Sequence, residues 1–438
     1  MKSPLSKRLR TALFSILVLP GATAFAQAAP DLRALTLPAA ENLLASKNRD
    51  IAVARRALDQ ASADVKVAAQ PPNPQLTLGV GAFNPHRGIG SGGPRSKALD
   101  SSVRIDQLIE RGNKLGLRVE GAKRLELAAG EDLNDTGRQQ LLAVRGAYFD
   151  LLAAQEKVTA SEDTAQLFGK TVDAAQLRQR AGDLAVSDVS RVRVDALRAQ
   201  NDARAAQADL SRARLTLAYL IGVDAQAAEI RAVTPWPARA LPDAAQAEAL
   251  VERRPDVRAA QARVEAADKA RDLAQAQRTR DVSIGAQYDH YPVTDANTLG
   301  TGNSFGVSVS VPLFLRNNNE GGIARAQADW YAARDGLDRV RALALGDVLR
   351  ARSDLENAAE RLGRFEADLL PAAQKSADAA EFAFKNGALG VMDLLDSRRT
   401  LKAVLIDAAN SRADYAKALA AWQSSAEAPA DYMNGEKK

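Results

Sequence analysis

Residues 384–400 read FKNGALGVMDLLDSRRT, and this stretch decides the fold. Gly387 suits the left-handed residue that ends a helix, and Gly390 lets a second helix begin at once. In that second helix Val391, Leu394 and Leu395 share one face, while Asp393 and Asp396 lie one turn apart on another. The stretch therefore forms a tight helix–turn–helix tip presenting two carboxylates. About 205 positions earlier stands AGDLAVSDVSR, residues 181–191, in which Gly182 matches Gly387 and Asp188 matches Asp393. The chain is a tandem duplication.

A long helical run leads into each tip. No proline occurs between Pro94 and Pro235, so one helix can extend from about Gly112 to the Gly182 turn. Along it Leu141, Val144, Tyr148, Leu151 and Val158 follow the 3-4 spacing of a coiled-coil seam. Ser187 is placed to cap the following helix, which reaches about Tyr219. In the second copy a long helix runs from about Gly321 to the Gly387 turn, with a kink expected at Pro371, and a shorter one then ends at Trp422. Upstream, Leu37–Ala69 and Ala244–Gln277 are each expected to be helical. NRDI at Asn48–Ile51 recurs within them as RPDV at Arg254–Val257.

Between the upstream helix and the long helix of each copy, the period changes to two. Leu76, Leu78, Val80 and Ala82 alternate with Gln75, Thr77, Gly79 and Gly81, and Val103, Ile105 and Ile109 oppose Arg104 and Asp106. Val282, Ile284, Ala286 and Tyr288 form a third apolar row, and Phe305, Val307, Val309 and Val311 a fourth. VPLFL at 311–315 answers IDQLI at 105–109 at a shift of 206.

Lengths set the architecture. Each long helix has roughly 66–70 residues and spans about 100 Å, with the strands at one end and the glycine tip at the other. A strand of about nine residues with one apolar and one polar face has the span and pattern of an outer-membrane β-barrel. Four strands cannot close a barrel, and open edges are not tolerated in lipid. Several copies must pool their strands. Two would give eight and a filled interior, while three give twelve and room for a pore.

Composition narrows the remaining classes. Hydrophobic residues make up 46% but aromatics only 5%, which suits closely packed Ala-rich helices. Residues 1–26 read as a cleaved signal peptide: a basic start, an apolar Thr11–Leu19 and an Ala24-Phe25-Ala26 cleavage site. Removing its Lys2, Lys7, Arg8 and Arg10 lowers the net charge from +5 to about +1, so no basic footprint for nucleic acid remains. There is no cysteine, hence no disulfide and no lipid on an N-terminal cysteine. His86 and His290, both expected in hairpin loops, with Met392 and Met433 leave too few soft ligands for a dedicated metal site. No G-x-S-x-G, P-loop or H-E-x-x-H stands in the sequence, so no enzyme and no cofactor are expected. The organisation is a signal peptide (1–26), a first repeat (27–222; hairpin 75–109, tip 181–187), a linker (223–242), a second repeat (243–423; hairpin 282–315, tip 386–391) and a disordered tail (424–438).

The duplicated plan of strands, long helix, tip and helix resembles the TolC-like outer-membrane factors over nearly the whole mature chain. That resemblance implies a homotrimer in which a twelve-stranded transmembrane β-barrel continues into an α-helical periplasmic barrel. GVMDLLDSRRT, residues 390–400, resembles the family's entrance motif, and Asp393 and Asp396 would then form stacked carboxylate rings at the periplasmic entrance. LIERGNKLGLRVEGA (108–122) and PLFLRNNNEGGIARAQ (312–327) resemble segments of the Czc-type heavy-metal cation efflux subgroup. The chain departs from them at Asn113, where glycine is usual, at Leu115, and by an insertion around Asn319-Glu320. Leu389 and Phe384 stand where the best-studied channel carries an arginine and a tyrosine latch.

The resemblance further implies a periplasmic adaptor protein, a proton-driven inner-membrane pump of the RND type and outer-membrane lipid as partners. The adaptor would dock at Gly182, Asp183, Leu184, Val186 and Ser187 and at Gly387, Ala388, Leu389, Gly390 and Val391. Divalent heavy-metal cations are the expected cargo. The same fold could instead serve multidrug efflux or type I protein secretion, and a periplasmic coiled-coil scaffold is the alternative of another class. Each site also has a plainer reading: Asp396 could pair with Arg399 or Thr400 on a solvated face, and the tips could be local turn packing.

Overall fold

The computed structural model describes residues 31–81, 99–239, 247–292 and 302–426. The signal peptide, His86 and its loop, the end of the linker and residues 427–438 lie outside the described residues. Helix α3 (Lys114–Arg180) is 67 residues of unbroken helix, about 100 Å long. Its counterpart runs from Glu320 to Lys385 in three pieces: α7 (Glu320–Arg364), a π turn (Phe365–Leu369) and α8 (Leu370–Lys385). Pro371 lacks the N–H that would bond to Ala367, and the helix absorbs this one turn earlier, where Leu370 N–H reaches back five residues to Phe365 O.

The upstream helices differ from the expectation, since each is divided. The first copy has α1 (Leu37–Lys47) and α2 (Arg49–Ala68), and the second has α5 (Ala247–Val251) and α6 (Pro255–Ala276). The recurring tetrapeptide marks the break. Asn48 and Arg254 are both extended N-caps, and Ile51 and Val257 just beyond them are buried. Asn48 caps Ile51 N–H at 3.0 Å and donates to Leu220 O at 2.8 Å. Arg254 cannot cap in that way, and instead forks onto Asp256 at 2.7 and 3.1 Å.

Helix α3 is the spine. Against it pack α2, α4 (Val186–Leu220), α6 and α9 (Val391–Ala426). The expected seam is real: Val144, Tyr148 and Leu151 are fully buried. Tyr148 also holds the linker, because its hydroxyl donates to Leu35 O at 2.8 Å and accepts from Thr234 N–H at 3.0 Å. A second core, with Val257, Leu337, Val348, Leu355, Tyr415 and Trp422, joins α6, α7 and α9. Helix α9 continues to Ala426, past Trp422 where it was expected to end and into the segment expected to be disordered. Among the described residues no helix is long and apolar enough to cross a membrane.

Four antiparallel strands form one sheet in the order β1 (Gln75–Gly81), β2 (Asp100–Ile109), β3 (Val282–Tyr291), β4 (Gly302–Ser310). The register aligns the expected rows across all four strands. Leu78, Val103, Tyr288 and Phe305 form one apolar row, and Leu76, Ile105, Ala286 and Val307 the next. The alternate rows are polar: Thr77, Arg104, Gln287 and Gly306 in one, Gln75, Asp106, Gly285 and Ser308 in another. The apolar face is uncovered within one chain, with Leu78 69%, Phe305 84% and Val307 82% exposed. On the polar face Arg104 chelates Asp106 at 2.8 and 2.9 Å and donates to Ser308 at 3.1 Å. His290 lies in β3 rather than in a loop, opposite Ser101, with Nδ1 2.8 Å from Asn303 Oδ1.

The two segments that resemble the Czc-type subgroup are the corners where sheet becomes helix. Gly112 and Asn113 are both left-handed, and Asn113 starts α3. Lys114, buried, reaches Thr279 O and Asp281 at 2.8 Å each, and Arg118 chelates Glu110 at 2.9 and 3.1 Å. These ion pairs anchor the sheet to the helices.

Candidate channel entrance

Both tips are built by the same local chemistry. After α3, Gly182 takes φ +84°, its N–H bonds to Gln179 O at 3.0 Å, and Asp183 N–H bonds to Arg178 O at 2.9 Å. After α8, Gly387 takes φ +75°, its N–H bonds to Phe384 O at 3.1 Å, and Ala388 N–H bonds to Ala383 O at 2.8 Å. This is the Schellman pattern, which satisfies the last helix carbonyls and needs a left-handed residue that glycine adopts without strain.

The next helix in each copy begins without a capping side chain. Ala185 is the N-cap of α4, so Ser187 is not the cap expected from sequence; it lies inside the first helical turn. The extended turn residue falls at Ala185, and this starts the helix at Val186, one residue before Ser187. Gly390 holds the same place before α9, where it accepts from Leu394 N–H at 3.3 Å. Asp188 and Asp393 therefore stand in the first turns, where the unpaired N–H groups and the helix dipole favour a carboxylate. Asp393 Oδ2 lies 3.3 Å from the place of a Cβ on Gly390, folded back over the helix start.

The structure brings the two tips together. Val391, Met392 and Leu395 of α9 pack on Phe168, Val192, Ala196 and Ala199 of the α3–α4 hairpin. Leu184, Val391 and Phe384 line a cleft of about 120 Å³ with Arg178, whose guanidinium lies 5.1 Å from the Phe384 ring centroid. Of the apolar residues named for docking, Val186 is exposed, whereas Leu184, Leu389 and Val391 are half-buried, Leu184 and Val391 facing each other across the cleft between the tips. Gly182, Asp183, Gly387, Ala388 and Gly390 are open to solvent.

Asp393 and Asp396 both point outward, while Leu394 and Leu395 between them are buried. Asp396 is 78% exposed and lies 3.8 Å from Arg399, as its plainer reading anticipated. Arg399 also pairs with Asp195 of α4, a carboxylate only 8% exposed, which Arg198 approaches at 3.9 Å. Lys402 of α9 reaches Asp202 of α4 at 2.6 Å. Asp195, and its pairing with Arg399, escaped the sequence reading. The available signal was an acid at 195 on the face shared by Val192, Ala196 and Ala199, where an apolar residue belongs. No group of His, Cys, Asp and Glu suited to holding a metal ion occurs among the described residues.

The sequence model of the outer membrane efflux protein family matches residues 41–223 and 247–425. The cobalt-zinc-cadmium resistance protein CzcC of Cupriavidus metallidurans is 28% identical over 381 residues, covering 84% of each chain. Among solved structures, the outer membrane protein VceC from Vibrio cholerae superposes with a TM-score of 0.72 at 18% identity, over 90% of this chain and 96% of that one. The CmeC outer membrane channel of Campylobacter jejuni gives 0.76 at 13% identity, over 89% and 85%. At these identities the structures speak for the fold, and the expected fold class, long duplicated helices with four strands per chain, is theirs as well.

Proposed function

Since the chain belongs to the outer membrane efflux protein family, we propose that it is the outer-membrane channel of a tripartite system exporting divalent heavy-metal cations. Three copies pool their sheets into a twelve-stranded barrel above a helical conduit. A periplasmic adaptor docks on the tips, and a proton-driven inner-membrane pump of the RND type supplies the cargo. Residues 27–222 and 243–423 are the two repeats of each subunit.

One observation carries this reading: a four-stranded sheet with a mainly apolar, uncovered face, a polar face opposite it, and edges at β1 and β4 that pair with no further strand among the described residues. Such edges invite pairing with another copy, and in lipid they must be paired. The cargo follows from the likeness to CzcC, whose name records resistance to cobalt, zinc and cadmium. The outward carboxylates of Asp393 and Asp396 support it, because three copies near an axis sum into a cation-attracting ring. The channel only has to pass the ion, so tight coordination is not required.

The test is metal tolerance of a deletion strain across zinc, cobalt, cadmium, nickel and copper. Sensitivity to the divalent ions, restored by the intact gene, is expected. Unchanged metal tolerance with new sensitivity to drugs would contradict the cargo and leave the channel.

A further inference from the structure

The apolar rows of the sheet do not stop where its hydrogen bonds do. β4 ends at Ser310, and in the sequence beyond it every second residue stays apolar, Val311, Leu313 and Leu315, through a turn in which Leu315 N–H bonds to Leu313 O at 3.0 Å; Leu313 and Leu315 are 70% and 84% exposed. At the same level the other strands change chemistry. The β2–β3 ladder ends at Ile109 opposite Val282, both on the apolar face. Two steps further, on the same parity, stand Arg111 and Arg280, both exposed. They are neighbours, because Arg111 N–H donates to Oδ1 of Asp281 at 2.9 Å. The Arg280 guanidinium lies 5.6 Å from the ring centroid of Phe314, the residue between Leu313 and Leu315 in sequence. The acids of this corner also have other cations as partners: Asp281, besides accepting the Arg111 N–H, pairs with Lys114 at 2.8 Å, and Glu110 pairs with Arg118.

Exposed aliphatic side chains flanked by arginines at the edge of an apolar band form an interfacial arrangement. The apolar groups enter the acyl region, and the guanidinium groups meet phosphate at headgroup level. The geometry points to a lipid site: Arg111 and Arg280, with Leu313 and Leu315, bind the headgroup of an anionic phospholipid in the membrane leaflet facing the helical conduit. This rests on the reading that the apolar face of the sheet meets lipid. Each basic residue near an anionic membrane surface contributes about 1 kcal/mol, so losing one arginine weakens the preference roughly fivefold.

The experiment uses the detergent-extracted full mature chain in native mass spectrometry, with phosphatidylglycerol and phosphatidylcholine as competing probes, alongside insertion into phosphatidylcholine vesicles. Wild type is expected to retain phosphatidylglycerol preferentially. R111Q/R280Q should lose that preference while still inserting, and R111K/R280K should keep most of it. Equal retention by wild type and R111Q/R280Q, with insertion intact, overturns the lipid site alone. Failure of wild type to enter vesicles overturns both the site and the membrane reading beneath it.

Discussion

Asn113 and Asn319, 206 positions apart, adopt the same left-handed backbone, φ 57° and 61°, each as the residue that starts a long helix. They are the two non-glycine residues with positive φ among the described residues. Each also lays its Oδ1 over a glycine three residues on, 2.3 Å from where a Cβ of Gly116 or Gly322 would stand. The sheet-to-helix corner is thus one device used twice. Asparagine tolerates the left-handed region where most residues lose about 1–2 kcal/mol. N113G and N319G are therefore expected to unfold within about 0.5 kcal/mol of wild type, while N113A and N319A lose about 1 kcal/mol each, read by chemical denaturation. Equal stability of the alanine and glycine variants would show that the corner is not strained.

The ion pair between Asp195 and Arg399 joins the two repeats close to the glycine tips. A carboxylate this buried cannot be left without its partner cheaply. R399Q is expected to cost about 2 kcal/mol, below the full value for a deeply buried pair because Arg399 is partly exposed, and D195N/R399Q should recover most of the loss. Additive losses in the thermal denaturation of D195N, R399Q and the double variant, each against wild type, would contradict the coupling.

The same arginine bears on conduction. Replacing Asp393 and Asp396 together by asparagine is expected to lower cation selectivity, measured as the reversal potential of single channels under a salt gradient. R399Q removes the cation beside Asp396 and should raise it. No change in either variant would place these carboxylates away from the pore.

Docking on the tips has a direct test at Asp183, which is exposed and follows the Gly182 turn. D183K is expected to reduce crosslinking to the adaptor several-fold while the purified channel keeps its thermal stability. Undiminished crosslinking would remove this tip from the interface.

Acid should weaken the helical framework in a defined way. Burial pushes the Asp256 carboxyl up, but hydrogen bonds and attraction from Arg254, with Arg138 nearby, outweigh it and hold the group below the usual carboxylate range. A depressed carboxyl stabilises the fold above its unfolded value, near 3.9, and that contribution disappears as pH falls through the lower folded value. D256N should therefore be less stable than wild type by about 2 kcal/mol at neutral pH. The gap should close as the pH drops below about 3.9, followed by helical circular dichroism.

Much of this was legible in the chain. The duplicated glycine tips, the period-two rows and the long helices are local patterns, whereas the register and the pairing of β2 with β3 came from the structure, which also sets Ser101, Gln107 and His290 on the mainly apolar face. Other features depend on contacts distant in sequence or on backbone freedom that composition conceals. Asn113 read as a departure from glycine, although asparagine adopts the same conformation. Ser187 read as a cap because serine commonly caps, yet the turn places Ala185 there. Asn48 and Arg254 read as positions within helices, although an asparagine suited to an N-cap and a proline after Arg254 mark the breaks; Asn48 is buried against the end of α4 and Arg254 against α7. Asp195 finds its partner more than two hundred residues later, across the two repeats.

The claim on which the account rests is that one chain cannot close its own sheet, so copies must share a wall. Light scattering of the purified mature chain, with and without detergent, measures this most directly. Three chains in a single detergent-dependent particle is the expected result. A monodisperse monomer, soluble without any amphiphile, would contradict it.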